Sequence, residues 1–167
     1  QPEVANTAPI KRLEKANNRI KRITSGLLWL CSDEVNKEQV EIKDCLDRVL
    51  SEMKLLLTTQ NMDIKIVTNH KLIFDMPDSV FELMVYNLIN NVVKHATSDL
   101  EHFVMVIEID SRAISFTNRV IQGNCTDKKQ GFGLGLQLIE QLAERFALRF
   151  SSRIEQGQFV ACLYQVD

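Results

Sequence analysis

Two short stretches of this sequence carry residue types that packing alone explains poorly. The first is Asn87-Leu88-Ile89-Asn90-Asn91-Val92-Val93-Lys94-His95, which sets Asn87, Asn91 and Lys94 four and three residues apart. In a helix these positions share one face. Asparagine is a weak helix former whose amide competes with the backbone for hydrogen bonds, so its concentration in an apolar helix makes sense where the amides meet a polar partner. A carboxamide oxygen can ligate a hard cation such as magnesium, and a lysine ammonium can neutralise phosphate. The alternative is a helix face that is simply wet. The second stretch, Gly131-Phe132-Gly133-Leu134-Gly135-Leu136, places glycines at alternate positions just ahead of an amphipathic run. Glycine lets a backbone come close to a phosphate, and a helix N-terminus offers unpaired N–H groups at the positive end of its dipole. A glycine-rich helix start also serves plain packing. This one lacks the Gly-Lys-Ser or Gly-Lys-Thr tail of a P-loop and does not follow a parallel strand as a dinucleotide fingerprint does.

The elements that must position these groups follow from the apolar periodicity. Residues 1–9 lack periodicity and carry Pro2 and Pro9, which fits a frayed end. Leu13, Ala16, Ile20, Ile23, Leu27 and Leu30 then step by three and four residues into one apolar seam, of the kind a helical bundle buries. Asp33–Gln39 is polar and reads as a linker. A second helix is expected from Ile42, Cys45, Leu46, Val49, Leu50, Met53 and Leu56, followed by a turn at 58–63 and short strands at 64–66 and 72–74. Pro77 marks a break, with Asp78 or Ser79 as candidate cap. The asparagine-bearing helix is expected over 80–96, with Phe81, Met84, Val85, Leu88, Val92 and Val93 turned inward. Phe103–Ile109 and Ala113–Thr117 read as an antiparallel hairpin joined by Asp110-Ser111-Arg112. After a polar stretch at 122–130, the glycines open a helix over 134–146. Leu148–Ile154 and Gln158–Val166 form a last hairpin turned by Glu155-Gln156-Gly157. Strands gathered between and after helices predict an α+β fold: a two-layer α/β sandwich whose mixed, largely antiparallel sheet is covered on one face by helices, preceded by one long bundle-type helix. The expected division is 1–37 for tail, partial bundle helix and linker, and 38–167 for the compact domain.

Composition bounds what such a chain does. With 167 residues, 45% of them hydrophobic, it can fill one sizeable core and carry an appendage. Lys+Arg number 20 and Asp+Glu 22, a net charge of -2 that supplies no general field for nucleic acid. Cys31, Cys45, Cys125 and Cys162 are scattered with no C-x-x-C spacing, the pattern of reduced cytosolic thiols rather than of a zinc site or a disulfide framework. No run of 18 apolar residues occurs, so no transmembrane helix is read from the sequence. The chain starts at Gln1 without a signal-peptide pattern and is expected to be a piece of something longer.

Together the two stretches resemble the N box and second glycine box of the superfamily of ATPases that includes histidine kinases, Hsp90, gyrase and MutL. Bacterial two-component sensor histidine kinases are the nearest match, because Asn87-Leu-Ile-x-Asn91-x-x-Lys94-His95 and Gly131-x-Gly-Leu-Gly-Leu136 occur in order at the ends of the expected helices. Residues 9–34 look like the second helix of the dimerisation and phosphotransfer hairpin, and 38–167 like the ATP-binding catalytic domain. The resemblance implies ATP and Mg2+ as ligands, with Asn91 on the metal, Asn87 beside the triphosphate, Lys94 on phosphate and His95 beside the sugar or base. Asn87 and Lys94 would be the catalytic pair. Gly131, Gly133 and Gly135 would shape the phosphate pocket and hinge a lid. Leu134 and Leu136 lie in the same stretch, and Phe132 either anchors the lid or packs down. Further implications are transfer of the γ-phosphoryl to a histidine for relay to a response-regulator aspartate, a homodimer through the helix bundle, and a cytoplasmic position within an inner-membrane sensor. Neither nucleic acid nor direct membrane contact is expected of these residues.

The chain also departs from the pattern. Where the family carries an aspartate that accepts the adenine amino hydrogen, followed by glycines, it reads Ile114-Ser115-Phe116-Thr117-Asn118-Arg119-Val120. Asn118 is the substitute: its side-chain oxygen accepts the same hydrogen bond without the charge, at a loss of about 1–2 kcal/mol. The lid at 119–130 is short and has no aromatic segment, and its Lys128 and Lys129 either reach phosphate or face solvent. His70, His95 and His102 are the only histidines, and none stands in an H-[ED]-x-x-[TN]-P context. In the family that the sequence resembles, the phosphoacceptor helix precedes the one matched by residues 9–34, so it is expected to have been cut away and these residues to act at most in trans. A rival reading is a nucleotide-independent docking or regulatory module that keeps the kinase fold. Asn118 and the short lid favour it, while Asn87, Asn91, Lys94 and the glycines oppose it. A serine kinase acting on a sigma-factor regulator is a third reading, disfavoured by the bundle-like helix.

Overall fold

A computed structural model describes residues 17, 20, 21, 24–32, 38–95, 103–119 and 134–166, apart from the side chains of 94, 95 and 103. The chain divides into two units, Gln1–Val35 and Asn36–Asp167. In the first, residues 24–31 are helical, and Ser32 closes the last turn by donating its N–H to the Leu28 carbonyl at 2.9 Å. Of the seam residues, Ile20 and Leu27 are 63% and 52% exposed, and neighbouring Leu28 is 66% exposed. Leu13, Ala16 and Ile23 lie outside the described residues.

The second unit opens with a short strand, just after the expected linker, that was not read from the sequence. β1 (Val40–Glu41) pairs antiparallel with β3 (Ile73–Phe74), and the Ile42 N–H donates to Leu72 O at 3.0 Å. Helix α1 (Ile42–Thr59) follows directly, burying Ile42, Cys45, Leu46, Val49, Met53 and Leu57 at helical spacing. Leu50 and Leu56, expected inside, are half-buried. The helix stops at Asn61, whose φ of 51° is the left-handed conformation that asparagine tolerates, and β2 (Met62–Thr68) leaves from there.

Helix α2 (Asp78–His95) begins at Asp78 itself. The Pro77 carbonyl accepts from the N–H groups of Val80 and Phe81 at 3.0 and 3.3 Å. The Asp78 carboxylate, read above as a candidate cap, is instead engaged by Arg48 of α1. Arg48 also faces Glu82 at 3.8 Å, and one turn further on the Tyr86 hydroxyl donates to Glu52. This polar seam along α1 and α2 is half-exposed, so each ion pair contributes no more than about 1 kcal/mol; it sets register more than stability. Phe81, Met84, Val85, Leu88 and Val92 are buried as expected, and so are Val80, Leu83 and Ile89. The buried arc is wider than a single stripe because α2 has helices packed on two sides.

The main sheet has the order β2-β4-β5-β7-β6, where β4 is Phe103–Ile109, β5 Ala113–Arg119, β6 Leu148–Glu155 and β7 Gln158–Gln165. Only the β2–β4 pair is parallel, because α2 intervenes and returns the chain to the same end; the other three pairs are antiparallel. The last hairpin turns on Gln156 and Gly157, with φ of 50° and 73°, the paired positive values of a two-residue turn whose twist matches the strands. Alternation places Met105, Ile107, Ile109, Ile114, Phe116, Ala161 and Leu163 on one face, all buried. That face is covered by α1 near β2 and by α3 (Leu134–Arg145) against β6, with α2 packed against both helices. The result is the expected two-layer sandwich. Among the described residues, no helix is long and apolar enough to cross a membrane.

Cys45 sits where α1 meets α2, its thiol 3.8 Å from the Asp78 carbonyl. Burial, reinforced by the Glu82 carboxylate, pushes this thiol from 9.0 up to about 12. Because the folded protein holds the proton more tightly than the unfolded chain, the stabilisation is complete below pH 9 and is lost as pH rises from 9 toward 12. A thiol-specific reagent at pH 8 is expected to modify exposed Cys31 promptly and Cys45 only as the domain unfolds. Urea midpoints measured across the alkaline range are expected to fall above pH 9 in the native chain and to fall less in Cys45→Ala.

Candidate functional site

Helix α2 presents Asn87 and Asn91 one turn apart, both half-buried. The Asn87 amide nitrogen donates to Leu83 O at 2.9 Å, which anchors the side chain along the helix and leaves its oxygen turned outward. Asn90 is tied the same way, to Tyr86 O at 2.8 Å, on a different face. Against the pair stands the first turn of α3. A Cβ built on Gly135 would lie 3.3 Å from Asn87 Oδ1 and 3.6 Å from Asn91 Nδ2. The two stretches singled out in the sequence thus meet at one place, and they do so because residue 135 has no side chain.

The start of α3 brings more than proximity. Its first N–H groups have no intrahelical partner, and its first turn carries no acidic residue to neutralise the positive end of the dipole. Two carboxamides beside such a terminus form a locus for an anion together with a hard cation: the backbone N–H groups take the anion, and amide oxygens take the cation. Among the described residues no group of three or more His, Cys, Asp and Glu side chains could hold a metal ion. A cation held here would rely on a carboxamide plus oxygens brought by a ligand. Leu134 is 70% exposed at the mouth of the helix, whereas Leu136 is buried and seats α3 in the core.

Asn118 is the third component. The hairpin expected to end at Thr117 continues through Arg119, so Asn118 lies within β5, paired with Met105 of β4 and Phe159 of β7. It is 6% exposed, the one buried polar residue among those described. Its Nδ2 donates to Arg119 O at 3.1 Å, while Oδ1 is buried with no partner. An acceptor left in that state costs about 1–3 kcal/mol, which a ligand or water bringing a donor would recover. Further along the same inner row stand Phe159, half-buried, and Ile154, 57% exposed. This apolar shelf was missed in the sequence, where Ile154 is simply the last apolar residue before a turn; its signal was the register with Phe159 and Asn118.

Other expected site residues can be placed only in part. Lys94 and His95 close α2, on the turn after Asn91, and their side chains lie outside the description. Lys128, Lys129, Gly131, Phe132 and Gly133 lie outside the described residues. The buried thiol of Cys45 and the carboxyl of Glu82, raised chiefly by burial, belong to the α1–α2 seam and are structural.

No protein-family model matches this sequence, and no curated protein does. Solved structures match clearly. The cytoplasmic segment of histidine kinase QseC aligns with a TM-score of 0.69 at 16% identity, over 90% of this chain and 94% of that one. Acinetobacter baumannii histidine kinase AdeS aligns at 0.68 and 14% identity, over 98% and 84% of the two chains. Histidine kinase ThkA, solved in complex with response regulator protein TrrA, aligns at 0.67 and 13% identity, over 98% of this chain and 51% of that one. At such identities the likeness is one of fold: the chain has the α/β sandwich of histidine-kinase catalytic domains with a helix ahead of it.

The contact at Gly135 generates a test independent of any ligand. Alanine at an ordinary helix position would gain about 1 kcal/mol over glycine. Here its Cβ meets the anchored Asn87 amide at 3.3 Å, so Gly135→Ala is expected to lose about 1–2 kcal/mol by urea denaturation. Combining it with Asn87→Ala, which removes the crowded oxygen, is expected to recover most of that loss.

Proposed function

We propose that the Asn36–Asp167 unit binds Mg-ATP and that, in a longer parent chain, it donates the γ-phosphoryl to a histidine on a bundle helix for relay to a response-regulator aspartate. The observation that carries this reading is the convergence of Asn87 and Asn91 on Gly135 at the N-terminus of α3. That arrangement fits a polyphosphate, with the backbone N–H groups of α3 on phosphate oxygens and Asn91 as the protein's metal ligand. Magnesium would supply charge neutralisation and geometry for the phosphates. Asn87, held by Leu83 O, orients the triphosphate, and Lys94 brings positive charge to it one turn beyond Asn91. His95 borders the sugar or base. Gly131, Phe132 and Gly133, with Lys128 and Lys129, belong to the lid in this reading. Asn118 accepts a hydrogen bond from the base.

The fold likeness to histidine kinases supports the reaction class, and the relative solved with a response regulator supports the kind of partner. The bare Ile20 and Leu27 positions support a bundle contact with a second copy in the parent protein. With no phosphoacceptor context at His70, His95 or His102, this chain would phosphorylate only a separate, histidine-bearing bundle. The parent is proposed to be an inner-membrane sensor with this part in the cytoplasm.

Calorimetric titration with a non-hydrolysable ATP analogue, with and without magnesium, tests the proposal. Saturable binding strengthened by magnesium is expected, and Asn91→Ala is expected to abolish the magnesium dependence and weaken binding by tenfold or more, about 1.4 kcal/mol. Well-folded protein that binds no nucleotide at millimolar concentration would instead favour the docking-module reading, which the uncharged Asn118 already makes the natural second choice.

A further inference from the structure

Strand β6 forms one edge of the main sheet: β7 pairs with it on one side, and among the described residues no strand lies on the other. It runs eight residues, Leu148–Glu155, without a proline, and its register with β7 is unbroken. Prolines and bulges are the ordinary means of keeping an edge from pairing, and this edge has neither. The two-residue turn at Gln156 and Gly157 fixes which backbone groups face outward. In such a hairpin the residues flanking the turn, Glu155 and Gln158, exchange both ladder bonds, and hydrogen-bonded pairs recur at every second position. Arg149, Ser151, Arg153 and Glu155 therefore turn their N–H and C=O groups toward β7. Phe150, Ser152 and Ile154 turn theirs away from the sheet.

We infer that β6 pairs antiparallel with β6 of a second copy, about a two-fold axis at Ser152, and joins two sheets into one. The positions that exchange hydrogen bonds in this ladder are the three whose groups face outward. On the helix-covered face, Phe150 stands opposite the partner's Ile154, and Ile154, 57% exposed in the single chain, gains an aromatic neighbour. On the open face, Arg149 stands opposite the partner's Glu155. Glu155 already accepts from Arg153 Nε at 2.8 Å, so its carboxylate would sit between two guanidinium groups. Symmetry makes each of these contacts twice. Moving the axis one residue toward the N-terminus sets Arg149 opposite the partner's Arg153; one residue the other way sets Arg153 opposite its own copy. Like charges opposed in a ladder are destabilising, so the strand's charges select the Ser152 axis. The other edge, β2, leaves no large apolar side chain exposed for a partner to cover. This contact is separate from the bundle contact proposed above and needs no nucleotide.

Sedimentation velocity of the whole chain tests the inference. A contact made by one strand is small, so the native chain is expected to dimerise weakly, with a Kd on the order of 100 μM. Arg149→Glu and Glu155→Arg each oppose like charges twice and are expected to weaken the dimer about tenfold or more. The double variant restores the pairing and is expected to dimerise as the native chain does. An equimolar mixture of the two single variants is expected to form a heterodimer where neither alone dimerises. Both positions are exposed, and circular dichroism is expected to show native folding. Ser152→Pro removes an outward N–H, spares the β7 ladder, and is expected to abolish the dimer. A native chain that stays monomeric at millimolar concentration would overturn the inference. So would a dimer unchanged by both charge reversals and by Ser152→Pro, which would assign the association to another surface.

Discussion

Helix α2 has to satisfy two neighbours of opposite character, and the rest of the domain is arranged around that demand. Toward the sheet it must be apolar, because the inner faces of β4, β5 and β7 bury an almost unbroken set of Met, Ile, Phe and Leu side chains. At about 1.5–3 kcal/mol for each large side chain, that burial is the main favourable contribution to the fold. Toward α3 it must be polar and accommodating, because Asn87 and Asn91 point at the start of that helix. Both demands are met by letting α2 sit between α1 and α3, so that its flanks as well as its sheet-facing side are covered. The amides then lie at the margin of the core, half-buried, where their neighbours fix them but do not strip them of every partner.

Much of this was legible in the sequence because the strong signals were periodic. The three long helices of the sandwich, both hairpins and the helix-covered sheet follow from apolar spacing, and the meeting of the asparagine and glycine stretches was implied only by their resemblance to the N box and second glycine box. What escaped had no periodicity to show. β1 is two residues long and gains its pairing only from β3, far along the chain, so no strand was read between the linker and the helix from Ile42. Asp78 looked like a cap because caps are read locally; its carboxylate is taken by Arg48 of another helix. Asn118 looked like the residue after a strand because polar residues near a glycine-poor loop suggest an exit, whereas ladder bonds to Met105 and Phe159 on both sides hold it inside the strand. In each case the missing information was a contact distant in sequence.

Polar groups in this domain fall into two kinds that differ in what completes them. Along α1 and α2 the pairs are closed within the protein: Arg48 with Asp78 and Glu82, Tyr86 with Glu52, and the Cys45 thiol beside Asp78 O. At Asn87 in the α2–α3 meeting and at Asn118 on β5, the amide is half closed. The nitrogens of Asn87 and Asn118 are committed to backbone carbonyls, and the oxygen is what remains. Backbone anchoring thus does more than stabilise; it decides which end of an ambiguous side chain a ligand would meet, and at these two positions it selects the acceptor.

That choice bears on why an amide is tolerable at position 118. A carboxylate buried in a strand needs a countercharge or several donors; Met105 and Phe159 beside Asn118 in the ladder supply neither charge, and the Arg119 carbonyl is itself an acceptor. An asparagine turns that carbonyl from a liability into an anchor. The exchange lowers the strength of any bond to a base, since charge-assisted hydrogen bonds are roughly twice as strong as neutral ones, but it removes the cost of holding a charge in the sheet when no ligand is present. The protein gains a resting state that is less strained and gives up some binding strength.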